Sequence, residues 1–246
     1  MSILQSNFNL PCGAQIKNRI GKSAMTERIA DSNNFVSEKH LNLYKRWSES
    51  ECGLLISGNV MVNRYNIEGA GNIIIDQKNY KDQLKTLKKW TEIGTRNQTH
   101  FWIQLSHAGR QTPGEINNRP MAPSAVPLKI PGRKYGVPIA MSAQDINDTI
   151  EQFVFAAKVA QDVGFTGIQL HSAHGYLLSQ FLSPNINLRD DEWGGSIENR
   201  SRLLIEIIRR CRKELGNDYP ISVKLNSADF QKGGFSDSES IAVAKM

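Results

Sequence analysis

His171 and His174 stand three residues apart at the end of an apolar run, Ile168-Gln-Leu-His171, and Tyr176 follows two positions later. Imidazoles that are neutral near pH 7 donate hydrogen bonds to a carbonyl or anionic oxygen, and a phenol supplies a proton. Parallel α/β folds put such groups at the carboxyl ends of buried strands. Each polar group left buried and unpaired costs about 1–3 kcal/mol, so this trio needs partners or a ligand. Metal ligation is the competing use of the histidines, and plain packing the competing use of Tyr176. No His-Glu-x-x-His helix accompanies the pair and no third ligand has a fixed spacing, so no metal is expected.

Two further polar residues interrupt apolar strands. Gln104 lies within Phe101-Trp-Ile-Gln-Leu105, and its amide must be satisfied as donor and acceptor together. A flavin pyrimidine edge presents both. Lys224 lies within Ile221-Ser-Val-Lys-Leu225, where a buried ammonium requires an internal carboxylate or an anionic cofactor. His107 and Arg110 follow the Gln104 strand and suit either positioning or an ordinary loop. Gly21-Lys22-Ser23 imitates a phosphate loop, but the required earlier glycine is Ile16, so that reading is rejected.

The elements that position these residues alternate strand and helix. Phe8 to Ile16 predicts a hairpin turning at Pro11–Gly13, and Ile20 to Met25 a first barrel strand. Ser37 caps a helix carrying Leu41, Tyr44 and Trp47 inward to near Gly53, before a strand over Gly53–Gly58. Tyr80, Leu84, Leu87 and Trp90 have helical spacing, and His100 to Leu105 is a third strand. The Pro/Gly-rich stretch Pro113–Pro138 is too long for a plain connection and predicts a lid. Ser142 with Asp145 opens another helix, Phe165 to His171 is the fourth strand, Ser196 to Gly216 bounds a helix, and Ile221 to Leu225 is the fifth strand. Ser236 begins a last helix. Repeated βα units without a dinucleotide fingerprint predict an α/β fold, an incomplete (β/α)8 TIM barrel with about five of its eight units and an N-terminal β-hairpin.

At 246 residues the chain suits one domain, 1–246. The net charge of +6 comes from scattered lysines and arginines, many on predicted polar helix faces, which predicts solvated surfaces and no nucleic-acid partner. No apolar run reaches a membrane span, and the start lacks the pattern of a secretory signal. The three dispersed cysteines predict neither a disulfide framework nor a zinc site, and a reducing cytoplasm is the expected setting.

Together these segments resemble the Old Yellow Enzyme family of FMN-dependent NAD(P)H:flavin oxidoreductases. The resemblance runs from Asn18-Arg-Ile and Ser23-Ala-Met-Thr26 through Gly53-Leu-Leu-Ile-Ser-Gly-Asn59 and Gln104-Leu-Ser-His-Ala-Gly-Arg110. It continues through the segment from His171 to Pro184, then Asn187 to Arg200, and Val223-Lys-Leu-Asn-Ser-Ala-Asp229. The resemblance implies that Ser23, Ala24, Met25 and Thr26 line the flavin, with Thr26 near O4. It implies that Asn59 approaches through its backbone, that Gln104 holds the pyrimidine edge, and that Lys224 stands where many relatives carry arginine. His171 and His174 would grip an enone or enal carbonyl, Tyr176 would protonate Cα, and Arg110 would help shape the substrate mouth. NADH or NADPH would supply the hydride.

Complete relatives have eight strands, and the FMN phosphate is held after the seventh and eighth. A chain with five reads as C-terminally truncated. Losing three charge-assisted hydrogen bonds at about 1.5–3 kcal/mol each would weaken FMN by several decades. Bare edges on the first and fifth strands would also favour pairing with another copy, a homo-oligomer. An inactive barrel remnant and a metal-dependent barrel hydrolase are the alternative functions.

Overall fold

The computed structural model describes residues 2–78 and 80–246; Met1 and Asn79 lie outside the described residues. A short antiparallel hairpin, β1 (Phe8–Asn9) with β2 (Gln15–Ile16), precedes a five-stranded parallel sheet. The sheet is built from β3 (Gly21–Lys22), β4 (Leu54–Met61), β5 (His100–Ser106), β8 (Gly167–Ser172) and β9 (Ile221–Leu225), neighbours in that order. Four helices make the crossovers or lie beside them: α1 (Glu38–Ser48), α2 (Tyr80–Gly94), α3 (Ala143–Asp162) and α5 (Ile197–Leu215). The fold is five strands of an α/β barrel.

Alternation along each strand divides the sheet into two chemically different faces. Phe101, Ile103 and Leu105 of β5 and Ile168 and Leu170 of β8 enter the main core with Tyr44, Trp90, Phe153 and Ile207. Trp90 is fully buried and meets Tyr44, Phe101 and Phe165 edge-on at 5.0, 5.1 and 5.4 Å. Each such aromatic pair adds about 0.5–1.5 kcal/mol beyond area burial. Ile221, Val223 and Leu225 of β9 pack on the same side. The opposite face carries Trp102, Gln104 and Ser106, then Gln169 and His171, then Ser222 and Lys224. A sheet that buries apolar residues against helices thereby presents a polar strip to the barrel interior.

Caps set the helix starts. Ser142 and Asp145 satisfy each other's backbone N–H groups at 3.2 and 2.8 Å, and Ser236 pairs likewise with Glu239 at the head of α6 (Asp237–Lys245). Ser196 accepts the Asn199 N–H at 3.3 Å, and Gly216, at φ +84°, stops α5.

Several boundaries differ from expectation. The first barrel strand is only Gly21–Lys22, not Ile20–Met25. Beyond Lys22 the neighbouring β4 shifts register against β5 between Ile56 and Asn59, and the Met25 carbonyl and Glu27 carboxylate occupy the space beside Gly58. Helix α1 ends at Ser48 rather than near Gly53, because the chain must reverse before Gly53 N–H bonds the Ile20 carbonyl at 2.9 Å. The Pro113–Pro138 stretch is not plain loop. Its strand β6 (Met121–Ala122) pairs in parallel with β7 (Ile139–Ala140). Arg189 donates to the Pro123 and Met141 carbonyls at 3.0 and 2.6 Å, clamping both feet of the excursion. A short helix, α4 (Leu177–Leu182), also follows Tyr176.

Candidate active site

Register aligns a polar ladder across the interior face. Asn59 pairs with Gln104, Gln104 with Gln169, and Gln169 with Ser222. Gln104 Nε2 donates to Gln169 Oε1 at 2.8 Å. One step further along the strands, His171 pairs with Lys224. The two expected site residues thus share one level at the carboxyl rim. Lys224 is a correction: every residue of β9 is only half-buried, since this strand has a free edge. Its ammonium makes no ion pair among the described residues, and it stands at the rim as an available positive charge.

The loop after β8 gathers the catalytic candidates. The His171 ring lies between those of His174 and Tyr176, edge-on to both, with centroids 5.1 and 4.8 Å away. The Ala173 N–H donates to His171 Nδ1 at 3.3 Å, so the ring carries its proton on Nε2 and donates from there. Burial, then the charges of His174 and Lys224, push the His171 pKa down to about 3. His174 is more exposed and shifts in the same direction, through burial and Lys224. Both imidazoles are therefore neutral donors at pH 7. Burial, then the charge of nearby Glu68, raises the Tyr176 phenol, which keeps its proton.

His174 adopts a left-handed backbone, φ +59°, which a histidine enters only when neighbours hold it there. Asn226 Oδ1 accepts its N–H at 3.0 Å and Gln111 Nε2 donates to its carbonyl at 2.6 Å. Gln180 of α4 joins the loops after β5 and β8, donating to the Ala108 and Gly175 carbonyls at 3.2 and 2.7 Å and accepting the Arg110 N–H at 3.2 Å. Asn226, Gln111 and Gln180 do not declare themselves in the sequence, because their partners lie 52, 63 and 72 residues away. Gln169 and Ser222 do: each repeats the apolar–polar alternation that marks Gln104.

Across the rim, Ser23 to Thr26 follow the end of β3, with Met25 half-exposed at 51%. Thr26 Oγ1 donates to Asn59 Oδ1 at 2.7 Å, and Asn59 Nδ2 donates to Glu68 Oε2 at 2.8 Å. Arg28 closes the chain on Glu68 at 2.5 Å. Burial pushes the Glu68 carboxyl up, but hydrogen bonds from Asn59 and Arg28 outweigh it and hold the group below the usual range. The Asn59 side chain is thus committed to Thr26 and Glu68, which leaves its backbone as the part available to a ligand. Glu68 was missed, its loop offering no periodic signal.

Arg110 sits in the turn after β5 and donates to the Val126 carbonyl of the long excursion at 3.1 Å, while its buried Nε has no partner. His107 is 1% exposed and accepts the Gly109 N–H at 3.1 Å, which makes it a brace for this turn and not part of the open rim. Among the described residues no three His, Cys, Asp or Glu side chains cluster as metal ligands, and no helix is long and apolar enough to cross a membrane. A hollow of about 640 Å³ opens at the other, amino-terminal end of the strands, between the hairpin and β9, and none of the rim residues line it.

Two groups suit FMN, an amide with a free acceptor and N–H in Gln104 and an unpaired ammonium in Lys224, while the Thr26 hydroxyl has its proton on Asn59. Comparison with known proteins agrees. The chain is 36% identical over 236 residues to the NADH oxidase of Thermoanaerobacter brockii, covering 94% of this chain and 35% of that protein. It is 35% identical over 233 residues to the NADPH dehydrogenase of Bacillus cytotoxicus, covering 94% and 64%. The crystal structure of Old Yellow Enzyme from Pichia sp. AKU4542 superposes with a TM-score of 0.85 and 28% identity, covering 99% of this chain and 65% of that one. The chain spans about one third to two thirds of these relatives' lengths. The cofactor of this group is FMN, with NADH or NADPH as hydride donor. With the model of the NADH:flavin oxidoreductase / NADH oxidase family matching residues 12–246, this chain belongs to that family, among the Old Yellow Enzymes.

Proposed function

We propose that this chain carries the flavin- and substrate-facing rim of an ene-reductase, which uses NADH or NADPH to reduce the C=C bond of α,β-unsaturated carbonyl compounds. The observation that carries this reading is the loop after β8: two neutral imidazoles and a protonated phenol, packed ring to ring at 5.1 and 4.8 Å. FMN, when bound, supplies the carrier that accepts hydride from the nicotinamide and passes it to the substrate. Gln104 would hold its pyrimidine edge, Lys224 would offset negative charge there, Thr26 and Asn59 would face the O4 side, and Ser23, Ala24 and Met25 would line the ring.

The protein's own groups account for the rest. His171 Nε2–H and the His174 ring would grip the enone or enal oxygen, where negative charge grows as hydride reaches Cβ. A preorganised donor at such an oxygen contributes about 2.7–4 kcal/mol. Both rings are neutral, so each offers one N–H to that oxygen without placing a full positive charge beside it. Tyr176 would deliver the proton to Cα, and Arg110 would shape the mouth beside the long excursion. The test is NADPH oxidation by the FMN-supplemented chain with an enone added, followed by product analysis. A saturated ketone formed by wild type and lost in His171→Ala/His174→Ala supports the proposal; oxidation that ignores the enone overturns it.

A further inference from the structure

Gln169 and Ser222 have no part in the chemistry above, yet they complete a hydrogen-bonded row that begins at Gln104. Gln104 Nε2 donates to Gln169 Oε1 at 2.8 Å, and Gln169 Nε2 donates to Ser222 Oγ at 3.1 Å. The pairing follows strand register, Gln104 opposite Gln169 and Gln169 opposite Ser222, so it is built into the sheet and not a chance meeting of long side chains. Gln104 and Gln169 are 2% and 9% exposed, so water competes little for either amide.

A free glutamine amide turns about its last torsion and exchanges its oxygen and NH2 at little cost. Here that freedom is tied to Gln169, because the two amides can turn only together. With one N–H committed to Gln169, Gln104 has its oxygen and one remaining N–H to offer elsewhere. Those are the acceptor and donor that a cyclic imide edge, N–H beside C=O, requires. A Gln104 amide turned alone would set oxygen against oxygen at Gln169; the alternative needs both amides to turn together and Ser222 to donate instead of accept.

We infer that Gln169, backed by Ser222, is a positioning residue that locks the Gln104 amide in the orientation that receives the flavin pyrimidine edge; this rests on the FMN reading above. A glutamate at 169 would accept from Gln104 equally well, but its charge would oppose that of reduced flavin. A neutral amide fixes the orientation and leaves the local charge to Lys224.

The test uses the full chain and three variants, Gln169→Leu, Gln169→Glu and Ser222→Ala, each checked for wild-type far-UV circular dichroism. Without flavin, the side-chain NH2 of Gln104 should exchange slowly in wild type by NMR and lose that protection in Gln169→Leu. On titration, Gln169→Leu should bind oxidised FMN about tenfold more weakly and Ser222→Ala about two- to threefold more weakly. Gln169→Glu should restore oxidised FMN binding to within about threefold. Its preference for oxidised over reduced FMN should rise about tenfold relative to wild type, a midpoint about 30 mV lower for the two-electron couple. Unchanged NH2 protection in Gln169→Leu overturns the inference, as do wild-type FMN affinity in that variant and a Gln169→Glu protein no better than it. If wild type takes up no FMN, the flavin reading fails, while NH2 protection still decides whether Gln169 holds Gln104.

Discussion

The neutrality of His171 can be read directly as a pH dependence of stability. Its folded-state pKa is depressed from 6.5 to about 3. Between those values the unfolded chain binds a proton that the folded chain refuses. The associated stability is therefore fully present above pH 6.5 and is lost as pH falls toward 3. Linkage gives a loss of about 2 kcal/mol between pH 7 and 5 from this one side chain, and about 4 kcal/mol by pH 3. His107, held at about 3, and His40, at about 4, add similar amounts in the same direction through burial. Glu27, raised by burial, works against them as pH falls. The clean perturbation is His171→Asn, whose carbonyl can still accept the Ala173 N–H. Urea unfolding of both proteins at pH 7 and pH 5 cancels the other groups. The wild type should lose about 2 kcal/mol more than the variant over that interval. Equal losses would mean that His171 ionises in the folded protein, and the neutral-donor argument would fail with it.

Other outcomes follow from the same geometry. Tyr176→Phe keeps the edge-on contact with His171 but removes the proton donor. Enone reduction should fall about 10²- to 10⁴-fold while enone-independent NADPH oxidation is largely retained, as read by steady-state assays with and without enone. Asn226→Ala releases the His174 N–H and should cost about 1 kcal/mol in urea unfolding while raising KM for enone. Arg189→Ala frees the Pro123 and Met141 carbonyls and should make the segment between them a preferred site of limited proteolysis; Arg189→Lys should not restore protection, since one ammonium cannot span both carbonyls and Asp191.

Much of the architecture was legible because burial writes a simple code. Phe101, Ile103 and Leu105 alternate with Trp102, Gln104 and Ser106, and that alternation assigns the helix-facing and interior sides of β5 without coordinates. Ser142, Ser196 and Ser236 marked helix starts because an unsatisfied N–H needs an acceptor wherever a helix begins. The local clustering of His171, His174 and Tyr176 was equally readable. Contacts between distant segments were not. Lys224 looked buried because its neighbours are apolar, but strand composition does not reveal that β9 has a free edge. The amide of Gln104 was matched to a ligand, whereas half of its demand is met by Gln169 on the next strand. The left-handed turn at His174 and its braces, Asn226 and Gln111, depend on tertiary closure, as does the Thr26–Asn59–Glu68–Arg28 chain.

The most direct test of the account is a crystal structure of the protein soaked with FMN and an unreactive cyclic enone analogue. The account predicts the pyrimidine edge against Gln104 with Lys224 beside it, the analogue oxygen between His171 and His174, and the Tyr176 hydroxyl on the analogue's far side. Flavin bound in the hollow at the amino-terminal end of the strands, or an analogue oxygen remote from both imidazoles, would contradict it.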